Sequence, residues 1–151
     1  MKKQILSIVA TLTLIIPMAI IGFAGLRARV SADVPFDFMI GNKEFKAGKY
    51  SIGRVNSIGT SETLILRGED NREAFNFPTN NVYGKGEPSA KLVFHRYGNQ
   101  YFLAQVFDGE SGEGAQFMKS KAEREAAKKR DVITQTTAGT EVVTVIAQVE
   151  R

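Results

Sequence analysis

This sequence offers few residue types suited to catalysis, and the histidine His95 is the first candidate. It is the one histidine among 151 residues, and the chain has no cysteine. A Ser-His-Asp site would need this imidazole, yet it stands inside the predicted strand segment 92–97 without a nucleophile motif beside it. We therefore expect a hydrogen-bonded histidine on the surface of a sheet. The composition excludes a multi-histidine metal site, a thiolate site, a disulfide and a lipoprotein anchor.

The glycine-rich segment 109–114, GESGEG, is a candidate for phosphate binding. A phosphate loop ends in Gly-Lys-Ser or Gly-Lys-Thr, whereas Gly114 is followed by Ala115 and Gln116. The order of the glycines does not match a dinucleotide fingerprint, and the two glutamates of the segment would repel phosphate. We expect a flexible connection here, and no cofactor.

Paired carboxylates suggest glycoside hydrolysis or calcium binding. The pairs are Asp33 with Asp37 and Glu69 with Asp70, and neither has the Asp-x-Asp-x-Asp-Gly spacing of a calcium loop. Because aspartate is common in turns, we expect these carboxylates to lie in solvent-exposed turns and to bind no metal. A carbohydrate-active or other hydrolase that uses a carboxylate pair stays open as an alternative.

The formal charge of +4 belongs to the start of the chain. The first 32 residues have four basic side chains and no acidic one, so residues 33–151 hold 16 basic and 16 acidic side chains. A neutral domain lacks the positive surface that binds a polyphosphate. We therefore expect no nucleic-acid partner.

An uncharged apolar run, ILSIVATLTLIIPMAIIGFAGL, covers residues 5–26 and follows Lys2 and Lys3. A positive N-terminus before an apolar segment is typical of an export signal. At about 1.5 Å per residue, the run as a helix would also span a bilayer.

Two interpretations of residues 1–32 stay open. They form either a signal peptide, cut after Ala32 or after Ala24, or a retained signal anchor. Both place residues 33–151, expected to be a single β domain, outside the cytoplasmic membrane. Membrane contact is expected only through residues 5–26, and only if they are retained.

Alternating apolar and polar residues predict that residues 33–151 form strands, with glycine, asparagine and proline at the turns. The strongest signal is a hairpin around Gly98-Asn99. A second hairpin is predicted around Ala138-Gly139, and a bend at 78–81. The pattern indicates a mainly β fold, a small antiparallel β-sandwich or barrel. The predicted strands cover 34–40, 49–55, 63–67, 73–77, 90–97, 100–107, 132–136 and 141–149.

One helix is predicted over about 118–130. Ser120 and Glu123 match a capping box, and cations at the C-terminal end suit the helix dipole. The thin apolar face predicts a helix that lies on the surface of the sheet and packs through Met118, Ala122 and Ala126. Its basic side chains could touch anionic lipid, but large apolar residues are missing, so we expect a solvated face.

A group of aromatic residues near the first hairpin could form a ligand platform. Because these residues alternate along strands, cross-strand packing is the expectation instead. The group consists of Phe94, Tyr97, Tyr101 and Phe102.

Three segments together resemble a group of small exported proteins found chiefly in acidobacterial genomes. They are VPFDF, GNK and AGKY within 34–50, LVFHRYG with YFL within 92–103, and SKAEREAA at 120–127. The likeness covers nearly all of 33–131, although Lys46 stands where the group often has proline. The group has no assigned activity, so the resemblance implies export and a compact β domain and assigns no site residue.

These observations together predict an exported, non-enzymatic β domain of the cell envelope or periplasm. It would be a binding or structural module for an unknown envelope protein or ligand. The alternatives are the hydrolase and a single-span membrane-anchored structural protein.

Overall fold

The computed structural model of the chain describes residues 28–58, 61–69, 74–84, 89–110, 112–133 and 140–150. The apolar run 5–26, Asp70 and the turn Ala138-Gly139 lie outside the described residues. The described part is mainly β, with eleven strands and one helix, as the alternation predicted. The elements are β1 (Arg29–Val34), β2 (Phe38–Ile40), β3 (Lys43–Phe45), β4 (Gly48–Ile58), β5 (Ser61–Gly68), β6 (Ala74–Tyr83), β7 (Ala90–Tyr97), β8 (Gln100–Asp108), β9 (Glu113–Phe117), α1 (Lys121–Ile133), β10 (Glu141–Ile146) and β11 (Gln148–Glu150).

All eleven described strands belong to one curled, sandwich-like sheet, and nine of them form the path β10-β7-β8-β9-β6-β5-β4-β1-β11. The path does not close into a barrel, because its two ends are β10 and β11. These strands are consecutive in the chain and are separated by Ala147, whose N–H donates to the carbonyl of Ala90 at 2.9 Å. The C-terminal segment therefore pairs first with β7 and then with β1.

The sheet is mixed, which corrects the antiparallel expectation. The short hairpin β2–β3 lies off the main path, and β2 pairs with β8 in parallel at Met39 and Phe102. The other strand pairs are antiparallel. The chain leaves β1 after Val34, and β2 begins at Phe38 beside β8. The single strand predicted over 34–40 is therefore wrong, because Val34 ends β1, residues 35–37 lie outside any strand, and β2 covers Phe38–Ile40.

The hydrophobic core lies inside the curled sheet, and most of the strands contribute buried side chains to it. Its fully buried side chains include those of Val30, Phe38, Ile52, Leu66 and Phe94. Edge-to-face ring pairs connect Phe38 with Phe94 and with Tyr50. The antiparallel pairing of β7 with β8 confirms the predicted hairpin, whose turn Gly98-Asn99 joins Tyr97 to Gln100.

Two predicted breaks in the strands are wrong. The bend at 78–81 is absent, since β6 continues from Ala74 to Tyr83. Pro78 is tolerated there because β9 ends opposite Thr79, so Pro78 has a paired strand on one side only. Residues 113 and 114, the end of the segment expected to be a flexible connection, instead begin the strand β9 (Glu113–Phe117).

The helix begins and ends three residues later than predicted. Ser120 is its N-cap, as expected, and accepts a hydrogen bond from the N–H of Glu123 at 3.1 Å. Met118 precedes the helix and is 61% exposed, so its predicted packing contact is wrong. Val132 and Ile133, predicted to start a strand, are the end of the helix. No helix among the described residues has the length and apolar character needed to cross a membrane.

Candidate functional site

The single imidazole is placed where α1 crosses the outer face of β7. His95 pairs with Phe102 of β8 and with Val142 of β10, so it lies on the face opposite the core. The helix packs on the same face through Ala122, Ala126 and Ala127, against Tyr97, Phe102 and Met39. The sequence predicted this surface helix, and two of its three predicted contact residues are confirmed.

Glu123 is the acidic partner of His95. Its carboxylate Oε1 lies 2.7 Å from His95 Nδ1 and 3.3 Å from the Tyr97 hydroxyl. The carboxylate only accepts, so the Nδ1–H and the phenol O–H both donate to it. The Glu123 side chain is 6% exposed and that of His95 21%. The capping box showed Glu123 at the third helical position, but spacing along the chain could not show that its side chain would reach the sheet.

This trio has one part of a catalytic arrangement, an imidazole oriented by a carboxylate. The Ser120 hydroxyl nearby in the chain serves as the helix cap. The three depressions described below are lined by other residues. The contacts of His95 and Glu123 that the structure shows therefore join the helix to the sheet.

The glycine-rich segment 109–114 shapes the β8–β9 connection. Gly109 has a positive φ of 79°, and an added Cβ there would lie 2.5 Å from the backbone N of Ala90. An added Cβ at Gly114 would overlap the carbonyl oxygen of Val106 on the neighbouring strand. Close packing of strands therefore requires glycine at both positions.

The carboxylates proposed as an acid pair have separate environments. Asp37 accepts hydrogen bonds from Lys46 Nζ and from the N–H of Ala47, each at 2.8 Å. The hydrogen bond from Lys46 is the main reason that the pKa of Asp37 lies below its ordinary value. Lys46 also contacts Glu44 at 2.7 Å, and these contacts raise its pKa. Asp37 thus fixes the β3–β4 turn, while Asp33 is exposed at the end of β1.

Glu150, which sequence reasoning missed, lines two depressions at one end of the sheet. The first, of about 230 Å³, also has Glu69, Arg29 and Lys49 in its wall. The second, of about 490 Å³, includes Asp108 and Glu110. Glu150 accepts a hydrogen bond from Ser51 Oγ at 3.2 Å and lies 3.8 Å from Arg29 Nε. No local motif marks these depressions, because their walls come from segments that are far apart in the sequence.

A third depression, of about 340 Å³, lies on the outer face of β7, β8 and β10. Lys91 and Phe107 form part of its floor, with the Lys91 ammonium 5.3 Å from the Phe107 ring centre. Val142 and Tyr83 in its wall are 58% and 68% exposed. This size is at the lower end of the range for small-molecule sites.

The aromatic group near the first hairpin is not an open platform. Phe94, Tyr97 and Phe102 are buried. Tyr101 is half-buried and stacks on Phe36 with ring centres 4.0 Å apart. Cross-strand and core packing, the expected alternative, accounts for these rings.

An ion pair between a buried glutamate and a more exposed arginine was also missed. The Glu62 side chain is 0% exposed, and its Oε1 lies 3.3 Å from Arg54 Nη1 on the neighbouring strand. Thr79 donates to the backbone carbonyl of Glu62 at 3.3 Å. An isolated glutamate in a strand gives no signal of burial, because glutamate is nearly always exposed.

Comparison with protein-family models, with curated proteins and with solved structures finds no match for this chain. Among the described residues, no group of three or more metal-ligating side chains is arranged to hold a metal ion. The resemblance to exported acidobacterial proteins stays a prediction.

Proposed function

We propose that the protein is an exported, non-enzymatic β domain of the cell envelope or periplasm that acts as a binding or structural module. The observation that supports this most strongly is that the side chains best suited to catalysis make structural contacts within the domain. His95 and Glu123 connect the helix to the sheet, and Asp37 fixes a turn through Lys46 and a backbone N–H. The carboxylate of Asp108 accepts backbone N–H groups from Ala28 and Glu110.

The small net charge of the folded part supports a partner other than nucleic acid. Strand β1 adds Arg29 to the domain, and Arg27 precedes it. Residues 25–151 therefore hold 18 basic and 16 acidic side chains, a net charge of +2. This balance gives no strong attraction for a polyanion.

The hydrolase alternative is favoured by one observation, the presence of Glu69 and Glu150 in the same depression. A retaining or inverting glycosidase needs two carboxyl groups on opposite sides of a bound sugar. The ion pair of Glu150 with Arg29 favours a structural role instead.

The test uses purified protein and isolated peptidoglycan sacculi, followed by sedimentation and mass spectrometry of the soluble fraction. A binding module sediments with the sacculi or leaves them unchanged, and it releases no soluble fragment. Release of fragments that Glu69→Gln and Glu150→Gln abolish would overturn the proposal in favour of the hydrolase. Glu44→Gln, at an exposed carboxylate on the β2–β3 hairpin, is the matched control.

The location is tested by cell fractionation of the full chain with its own leader. Recovery in the osmotic-shock fluid supports a periplasmic domain. Recovery with the cytoplasmic membrane, in a form that external protease degrades, supports the single-span anchored alternative. Recovery only in the cytosol would contradict export altogether.

A further inference from the structure

Two positions fit a small-residue export cleavage site, and strand β1 distinguishes between them. Cleavage after Ala32 would separate residues 29–32 from the rest of β1, which ends at Val34. Cleavage after Ala24 would leave the whole strand on the mature chain. The choice therefore depends on what residues 28–34 do in the folded domain.

Strand β1 is part of the hydrophobic core. The side chains of Val30, Ala32 and Val34 are 1%, 5% and 0% exposed and belong to the main buried cluster. A solvent-exposed extension of a domain would not show this alternating burial, because only a strand with one face on the core has it. Cleavage after Ala32 would remove two of these three side chains and leave a void beside Ile52, which is opposite Val30 in β4.

The same residues complete the hydrogen-bonded sheet. Residues 29–31 make all the pairs of β1 with β11, from Arg29 with Glu150 to Ser31 with Gln148. They and Ala32 also make three of the five pairs of β1 with β4. Without them, β11 has no partner strand in the described sheet, and part of the edge of β4 is unpaired.

Ala28, the first described residue, also contributes to the fold through a backbone hydrogen bond. Its N–H donates to Asp108 Oδ2 at 3.3 Å, and Asp108 is 0% exposed. The domain thus uses the chain from residue 28 onward. Residues 25–27 are then the only ones between the Gly22-Phe23-Ala24 site and the first residue of the fold.

We propose that signal peptidase cleaves this protein after Ala24 and not after Ala32, so that the mature chain begins at Gly25 and retains strand β1. This inference rests on the proposed export. It assigns Val30-Ser31-Ala32, which fits a cleavage site by sequence, to the core of the folded domain.

The test is the intact mass of the protein recovered after expression of the full chain with its own leader in a Gram-negative host. We expect the mass of residues 25–151. A mass that begins at Asp33 would overturn the cleavage site while leaving export in place. An uncut chain in the membrane fraction would overturn cleavage, and an uncut chain in the cytosol would show that export itself has failed.

Two matched variants place the cut independently, because the residue before the cleaved bond must be small. Ala24→Val is expected to abolish processing, so that the uncut chain accumulates. Ala32→Val is expected to be processed at the same bond as the wild type. Loss of processing in Ala32→Val, with normal processing in Ala24→Val, would overturn the proposal. If Ala32→Val fails to fold, the mass of the wild-type protein still decides the site.

Discussion

At the residue scale, Tyr97 and His95 share one buried acceptor, the carboxylate of Glu123. We expect Tyr97→Phe to lower the free energy of unfolding by about 1 kcal/mol, the usual net contribution of one hydrogen bond. Glu123→Ala should cost about 1–3 kcal/mol more than that, because it leaves two donors in a nearly dry site. Urea denaturation of the two single variants and the double variant measures these values. Additive effects would contradict the shared acceptor, since coupled groups give non-additive losses.

The pH dependence of stability should include a contribution from Asp37. Its pKa in the folded protein lies below the ordinary value of 3.8, first because Lys46 donates to it and then because the N–H of Ala47 does. A depressed folded pKa stabilises the protein above the unfolded value, and this stabilisation is lost as the pH falls through the folded value. The melting temperature of the wild type should therefore fall more steeply below about pH 4 than that of Asp37→Asn. Parallel curves for the two proteins would show that the Lys46 contact does not form in solution.

Gly114 tests whether strand packing explains the glycine-rich segment. Its α-carbon faces the Val106 carbonyl so closely that Gly114→Ala requires a backbone shift. We expect a loss of about 1–3 kcal/mol in the free energy of unfolding, as for other overpacked sites. Gly53→Ala is the control, because an added Cβ there meets only the flexible side chain of Arg29, at 3.2 Å. Equal effects of the two substitutions would contradict close packing as the reason for Gly114.

At the scale of elements, the helix cap was predictable from sequence and gives a direct test. Ser120→Ala removes the acceptor of the Glu123 N–H and should cost about 1 kcal/mol, the usual loss for an N-cap hydroxyl. Lys119→Ala, at the exposed neighbouring position, should leave the chemical denaturation midpoint unchanged. A midpoint for Ser120→Ala that equals the wild-type value would show that the cap is dispensable.

The local patterns predicted some elements well and missed others for physical reasons. The hairpin around Gly98-Asn99 and the helix have signals within a few residues, so both were found. The strand β9 contains only one large apolar side chain, Phe117, and its first residues belong to a segment with three glycines, so its start resembled a loop. The parallel pairing of β2 with β8 joins segments that are far apart in the sequence, so no local pattern predicts it.

The candidate sites show the same limit more strongly. His95 and Glu123 were each noticed for a local reason, yet 28 residues separate them and only the docked helix brings them together. The depression that Glu150 shares with Arg29 and Lys49 joins β11, the last described strand, to β1 and β4 in the first half of the described chain. Contacts between distant segments are set by the sheet order, so spacing along the chain could not predict them.

At the scale of the whole molecule, the C-terminal segment holds the two ends of the sheet path near each other. Strand β10 pairs with β7, and β11 pairs with β1 after the break at Ala147. The first described strand, β1, and the last one, β11, therefore pair with each other within the sheet. This arrangement makes residues 29–34 part of the described sheet, which is the basis for the proposed cleavage after Ala24.

Hydrogen–deuterium exchange with peptide-level mass spectrometry, on the protein purified from cells, tests this arrangement most directly. Peptides that cover β1 should exchange slowly, with protection similar to that of β4, because β1 pairs with a strand on each side. The edge strand β11 should be protected less than β4 but clearly more than an unstructured chain, because it pairs with β1 only. Exchange of β1 and β11 at the rate of an unstructured chain, while β4 and β7 stay protected, would contradict the account.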